Sequence, residues 1–118
     1  MMTYIKNLFS VVTASAILFF SSSFALAADY WIWGESGYNY YIVTEKSSLL
    51  DEWSARARMK EVSADGKAYT YDLYMWEMKG ELWSSTRRQD LGTRNGRPVQ
   101  GHNTMIGKAY DYMMNNYR

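Results

Sequence analysis

Cysteine is absent from this chain of 118 residues. Its absence excludes disulfides in any compartment, thiolate zinc clusters, thiol nucleophiles and acylation of a lipoprotein cysteine. Histidine is nearly absent. The single one, His102, stands in a Gly-rich run with no Ser or Cys motif beside it, so it reads as a solvated loop side chain rather than a general base. The carboxylates do not converge either. Asp51 and Glu52 are neighbours, which a strand points to opposite faces, and the remaining acids lack metal-ligand spacing. No Gly-rich phosphate loop or other cofactor motif is visible. The expectation is a protein that is not an enzyme, with no metal and no cofactor.

Charge of one sign is lacking too. Thirteen basic residues face twelve acidic ones, for a formal net charge of +1. A neutral chain lacks the electrostatic footprint of a nucleic-acid or anionic-membrane binder.

Phenylalanine is confined to positions 9, 19, 20 and 24. Those positions lie in MMTYIKNLFSVVTASAILFFSSSFALAA, which has one Lys near its start, an uncharged apolar middle and Ala25-Leu26-Ala27 at its end. This is the layout of a secretory leader. The uncharged run from Asn7 to Ala28 could also span a bilayer, so retention as an anchor is the competing reading. Ser and Thr dilute the run and no basic cluster follows it, which favours cleavage. The expectation is a signal peptide over 1–27, forming a hydrophobic helix, and a single exported domain over 28–118. That places the protein outside the cell or in the periplasm, with membrane contact only transiently through the leader.

The remaining 91 residues hold ten Tyr and five Trp, residues with a polar tip on an apolar body. Six of these rings crowd into YWIWGESGYNYYIV, residues 30–43. The stretch reads as two strands around Gly34-Glu35-Ser36-Gly37. Strict alternation puts Trp31 and Trp33 on one face, Tyr30 and Ile32 on the other. It also puts Tyr38, Tyr40 and Ile42 opposite Tyr41 and Val43. A loop follows over Glu45 to Asp51, and then EWSARARMKEV alternates cleanly, with Trp53, Ala55, Ala57 and Met59 against Arg56, Arg58 and Lys60.

Asp65-Gly66 and Lys79-Gly80 are hairpin signals. Taken as two-residue loops, they set Ala55 opposite Trp76, Ala57 opposite Tyr74, Trp83 opposite Trp76 and Arg87 opposite Asp72. Such pairs are worth roughly 0.2–1 kcal/mol each. One face would then gather Trp53, Met59, Tyr74, Trp76, Met78 and Trp83. The other would gather Arg56, Arg58 and Lys60 beside Tyr71, Leu73 and Met75. Residues 91–102 hold three Gly and the only Pro, which predicts a loop with room for a short edge strand. Asn103 then reads as the N-cap of a last helix whose apolar side is Met105, Ile106, Ala109, Tyr110, Met113 and Tyr117. The predicted fold class is α+β, an antiparallel sheet of five to six strands with one C-terminal helix packed on one face.

This order of features, from the aromatic first strand and YYIVTEKSS second strand to the DG hairpin, Gly/Pro loop and short terminal helix, resembles the surface-adhesin protein E-like family. The resemblance spans about residues 30 to 117. It implies a small bacterial exported domain with a helix on an antiparallel sheet, and a dimeric adhesin of extracellular proteins as namesake. Two features depart from the family. Its common Cys pair is replaced here near Met78 and Met113 or Met114, and its namesake's lipid anchor needs a cysteine this chain lacks.

Two basic groups are candidate binding residues. Arg87, Arg88, Arg94 and Arg97 lie within eleven residues and suit sulfated glycan or acidic protein segments. The plainer reading is a solvated loop that guards a sheet edge. Arg56, Arg58 and Lys60 beside Tyr71 could form a cation–π surface, or simply lay basic stems across rings. One helix cannot cover both faces of the sheet, so the uncovered face is the expected working surface, unless a homodimer buries it. The expectation is an adhesin-like binding module for a protein or a sulfated or acidic glycan. The alternative is a periplasmic inhibitor or envelope-stress protein that captures a hydrolase.

Overall fold

The computed structural model describes residues 29–118, and the predicted leader lies outside them. Seven strands form one antiparallel sheet: β1 (Asp29–Glu35), β2 (Tyr38–Val43), β3 (Ser48–Asp51), β4 (Ser54–Val62), β5 (Ala68–Met78), β6 (Glu81–Ser85) and β7 (Arg97–Pro98). A single helix, α1 (Met105–Tyr117), follows. The sheet order is β1-β2-β4-β5-β6-β7. β3 lies beside the first half of β4, while β2 takes the second half of the same edge. The α+β class holds, with two short strands, β3 and β7, raising the count to seven. Pro98 sits on the edge strand β7, where its missing N–H costs no ladder bond.

Two turns close as two-residue loops. Ser36-Gly37 and Lys79-Gly80 both have positive φ at both residues (53° and 83°, 54° and 79°), the type I′ geometry that matches strand twist. The second hairpin therefore sets Trp76 opposite Trp83, as expected. The Asp65-Gly66 turn differs. Ser63 N donates to Lys67 O, Gly66 N donates to Ser63 O, and Gly66 has φ 85°. This is a three-residue loop ending in a left-handed glycine, one residue longer than the two-residue loop expected.

That extra residue slips the register. Ala55 faces Met75 and Ala57 faces Leu73, while Arg56 faces Tyr74 and Arg58 faces Asp72. A one-residue slip exchanges the faces of β4 relative to β5: Tyr74, Trp76, Met78 and Trp83 stay together as expected, but they are joined by Arg56, Arg58 and Lys60, while Met59 joins Tyr71, Leu73 and Met75. A second correction lies in β1. A bulge at Ile32 puts Trp31 opposite Tyr41 but Trp33 opposite Tyr40, so the two tryptophans point to opposite faces.

The helix packs on the face of Ile42, Ala55, Ala57, Met59, Leu73, Met75 and Leu82, all buried, through Ala109, Tyr110, Met113 and Met114. Ala55 and Ala57 are small, and that lets the helix approach the sheet closely. Thr104, not Asn103, caps the helix: its Oγ1 accepts from Gly107 N at 3.0 Å. Tyr110 Oη donates to Trp53 O and Tyr117 Oη to Thr44 O, which fixes the helix across β2, β3 and β4. Register parity puts Met78 on the other face from Met113, so the two do not stand in for a helix–sheet cysteine pair.

The opposite face is half covered as well. The loop after β6 folds over it, and a Cβ on Gly96 would stand 2.5 Å from Trp76 Cη2. Trp76 is accordingly buried to 2% exposure on the side the helix does not touch.

Candidate functional site

Each basic residue singled out from the sequence now has a place. Arg56, Arg58 and Lys60 share the helix-free face, but they are not free cations. Arg58 Nε donates to Asp72 Oδ1 at 2.7 Å and Lys60 Nζ to Asp29 Oδ2 at 2.9 Å. Arg56 reaches Lys46 O and Ser48 Oγ. The contact with Asp72 holds the Arg58 guanidinium charged even more firmly than usual. Sequence reasoning had assigned Asp72 to Arg87; the register slip gives it to Arg58 instead. Nor does Tyr71 lie beside this basic row, since it faces Met59 on the helix side.

Arg87 turns back on its own loop. It contacts both oxygens of Asp90 at 3.2 Å, and Ser85 Oγ donates to Asp90 Oδ2 at 2.8 Å. The Arg87 hydrogen bonds, and after them the one from Ser85, hold the Asp90 carboxyl below the usual carboxylate range. A short 3-10 turn, Arg88–Asp90, exists because this buried acid anchors it. Arg88, Arg94 and Arg97 are exposed and enter none of the ion pairs among the described residues.

Tyr71, Arg87 and Arg97 nevertheless meet. All three line one open cleft of about 610 Å³, together with Tyr69, Leu73 and Met105. Arg88 and Arg94 do not line it. The cleft exists because β6 is short. It pairs with β5 only from Tyr74 to Met78, so Ala68–Leu73 carry β4 on one side and no strand on the other among the described residues. The chain turns away at Thr86, and the helix start and the β7 approach form the two walls.

Glu61 and Tyr69, which also line the cleft, belong to a row of side chains that sequence alternation alone could not assemble. Register places Trp33 opposite Tyr40, Tyr40 opposite Glu61, and Glu61 opposite Tyr69. These four stand on the helix face, next to Tyr38 and Tyr71 of the adjoining rows. Tyr69 is 64% exposed and Tyr38 41%, so this end of the sheet is not covered by α1. Tyr69 and Tyr71 have ring centroids 5.6 Å apart. Burial first, then the Glu61 charge and the Tyr40 and Tyr69 hydroxyls, push the Tyr71 phenol up to about 12. Burial and the charges of Glu61 and Glu35 likewise raise Tyr40. Glu61 thus sits among rings, and no cation pairs with it among the described residues. Only the bulge at Ile32 and the true hairpin register bring Trp33, Tyr40 and Tyr69 to one row.

A second cleft, of about 600 Å³, lies at the β3–β4 turn and is lined by Asp51, Glu52, Trp53 and Glu77. Arg118 occupies its rim, with its guanidinium carbon 5.4 Å from the Trp53 ring centre and its Nη2 donating to Glu52 O. His102 lies apart from both clefts, its Nδ1 2.8 Å from Asp111 Oδ1. No group of three or more His, Cys, Asp or Glu side chains among the described residues is placed to hold a metal ion. No helix among them is long and apolar enough to cross a membrane. No family model, curated protein or solved structure matches the chain.

Proposed function

We propose that this chain is a non-enzymatic exported binding module, adhesin-like, that holds a protein or a sulfated or acidic glycan at the open edge of β5. One observation carries the reading. Tyr71, Arg87 and Arg97, distant in sequence, line a single cleft beside six strand residues with no partner on that side. Arg97 supplies an exposed cation free to meet an anion, while Arg87 is already held by Asp90. The strand edge offers backbone donors and acceptors to an extended segment, and Tyr69 and Tyr71 offer ring faces to its side chains. The helix-free face, expected from sequence to be the working surface, suits the role less well because its charges are paired and its loop-covered tryptophan is buried. The architecture, an antiparallel sheet with a C-terminal helix, supports the likeness to surface-adhesin protein E-like domains.

The test is binding of the purified domain to extracellular-matrix proteins and to heparin, beside a variant with Arg87, Arg88, Arg94 and Arg97 changed to Ser. Salt-sensitive binding that the variant loses supports the reading. Equal silence from both proteins sinks matrix and heparin recognition and turns attention to hydrolase inhibition.

A further inference from the structure

The other edges of the sheet are blunted. β1 carries the bulge at Ile32, β3 has four residues in an irregular register, and β7 has two residues and holds Pro98. The open half of β5 has none of these devices. Residues 68–73 include no Pro, Gly or Lys, and their register against β4 runs unbroken. Their one charge, Asp72, is taken by Arg58. Ala68, Tyr69 and Thr70 are exposed, and among the described residues the backbone ladder of 68–73 runs to β4 only. Elsewhere the sheet fits two strands end to end on one edge: β3 and β2 divide the edge of β4 between them. On the edge of β5, β6 takes one half alone.

We propose that an extended segment of a protein partner, carrying an acidic side chain, adds to this half of β5 as a further antiparallel strand in line with β6. The proposal rests on the binding-module reading and narrows its partner from protein or glycan to polypeptide. A polypeptide backbone repeats N–H and C=O groups at the spacing of the strand itself, which a glycan does not. The walls decide between a loose segment and a second copy. Asn95 and Gly96 on one side and Met105 and Ile106 on the other line the cleft along this edge. A single strand can enter between them, whereas the sheet of a second copy would meet them first. Alternate side chains of the added strand fall against Tyr71, Leu73, Met105 and Ile106, an apolar lining. Charge sets the remaining requirement. Glu61 stands on β4, roughly 10 Å or two strand spacings from a strand added outside β5. Arg97 stands beyond the open edge, exposed and in none of the ion pairs among the described residues, while Arg87 is held by Asp90. The unpaired charge beside the added strand is therefore basic, and its complement is a carboxylate.

The probe is a blocked octapeptide alternating valine with threonine and glutamate, titrated to about 1 mM against the purified protein. Backbone amide exchange is the readout, and slow exchange across the core confirms folding of each variant in the same experiment. The free protein should sediment as a monomer, with alternate amides of residues 68–73 exchanging fast. Saturating peptide should slow those amides about tenfold or more. Arg97→Ser should weaken the peptide about tenfold, and Arg94→Ser should leave it within about twofold. N-methylation of alternate peptide residues removes the donors of one strand edge, so one methylation pattern should abolish binding and the other spare it. No saturable protection at 68–73 overturns the proposal, as do equal effects of the two methylation patterns or an unchanged affinity in folded Arg97→Ser. A dimer of the free protein with these amides already protected overturns it in favour of a second copy. Heparin binding that depends on Arg97, without protection by the peptide, sinks strand addition and leaves the binding-module reading standing. Silence toward both probes sinks both.

Discussion

Glu61 stands directly opposite Tyr69 across the β4–β5 ladder, and the pair marks where the helix-covered core ends and the exposed aromatic shelf begins. The relationship depends on one glycine. Gly66 takes φ 85° in the three-residue hairpin loop, and this sets the register for the whole β4–β5 pair.

Gly66→Ala is expected to destabilise the domain by about 1–2 kcal/mol, the cost of a left-handed non-glycine residue. Nothing lies within 4 Å of the added Cβ, so the effect is backbone strain alone. Gly66→Asn should cost less, because Asn tolerates that region. Urea midpoints at constant m-value check both.

The opposite change applies at Lys79, a non-glycine residue at φ 54°. Lys79→Asn creates the Asn-Gly pair favoured in type I′ turns and should stabilise by about 0.5–1 kcal/mol. A thermal melt that fails to rise would contradict the turn assignment.

Gly96→Ala tests the loop cover over the helix-free face. The new Cβ would fall 2.5 Å from Trp76 Cη2 and 2.7 Å from Ser84 O, so backbone must move. A cost of about 1–3 kcal/mol is expected, as for overpacking. Trp76, buried beneath this loop, should become more exposed, seen as a red shift in fluorescence.

Much of this fold was legible in the sequence. The longer strands, the Lys79-Gly80 turn and most of the helix's apolar stripe follow from alternation and spacing. β3 (Ser48–Asp51) instead stands where a loop over Glu45 to Asp51 was expected, because its four residues are too few to show a period. Register was not legible at Asp65-Gly66, because the same dipeptide serves a two-residue loop and a longer loop with a left-handed glycine. The choice between them exchanges the faces of a whole strand. That exchange hid the Arg58–Asp72 pair, and the bulge at Ile32 hid Trp33 from the row it joins. Arg87 and Arg97 were chosen for clustering with Arg88 and Arg94 in one run, and Tyr71 for an expected place beside Arg56, Arg58 and Lys60. Neither choice could separate the cleft residues from Arg88 and Arg94. The separation comes from where β6 stops.

Alkaline titration gives a signed expectation. Burial raises Tyr71 and Tyr110 from 10.0 to about 12 in the folded chain. The folded state therefore binds these protons more tightly than the unfolded state. The stability they contribute is complete below pH 10 and is lost as pH climbs to about 12. Tyr40, Tyr112 and Tyr117 are raised as well, so phenolate absorbance should show a late-titrating group of tyrosines, and Tyr71→Phe should remove one of them. Asp90 has the reverse sign: its depressed pKa contributes stability above the usual carboxylate range, lost on acidification. Asp90→Asn should flatten the acid limb of the stability curve.

The most direct measurement compares single variants for binding to heparin or a captured matrix protein. Arg97 lines the β5 cleft and Arg94 does not, although both are exposed cations three residues apart in one loop. If the cleft is the site, Arg97→Ser and Tyr69→Ala should each weaken binding about tenfold, while Arg94→Ser leaves it within about twofold. Equal losses from Arg94→Ser and Arg97→Ser, with none from Tyr69→Ala, would mean a diffuse loop charge and contradict the cleft.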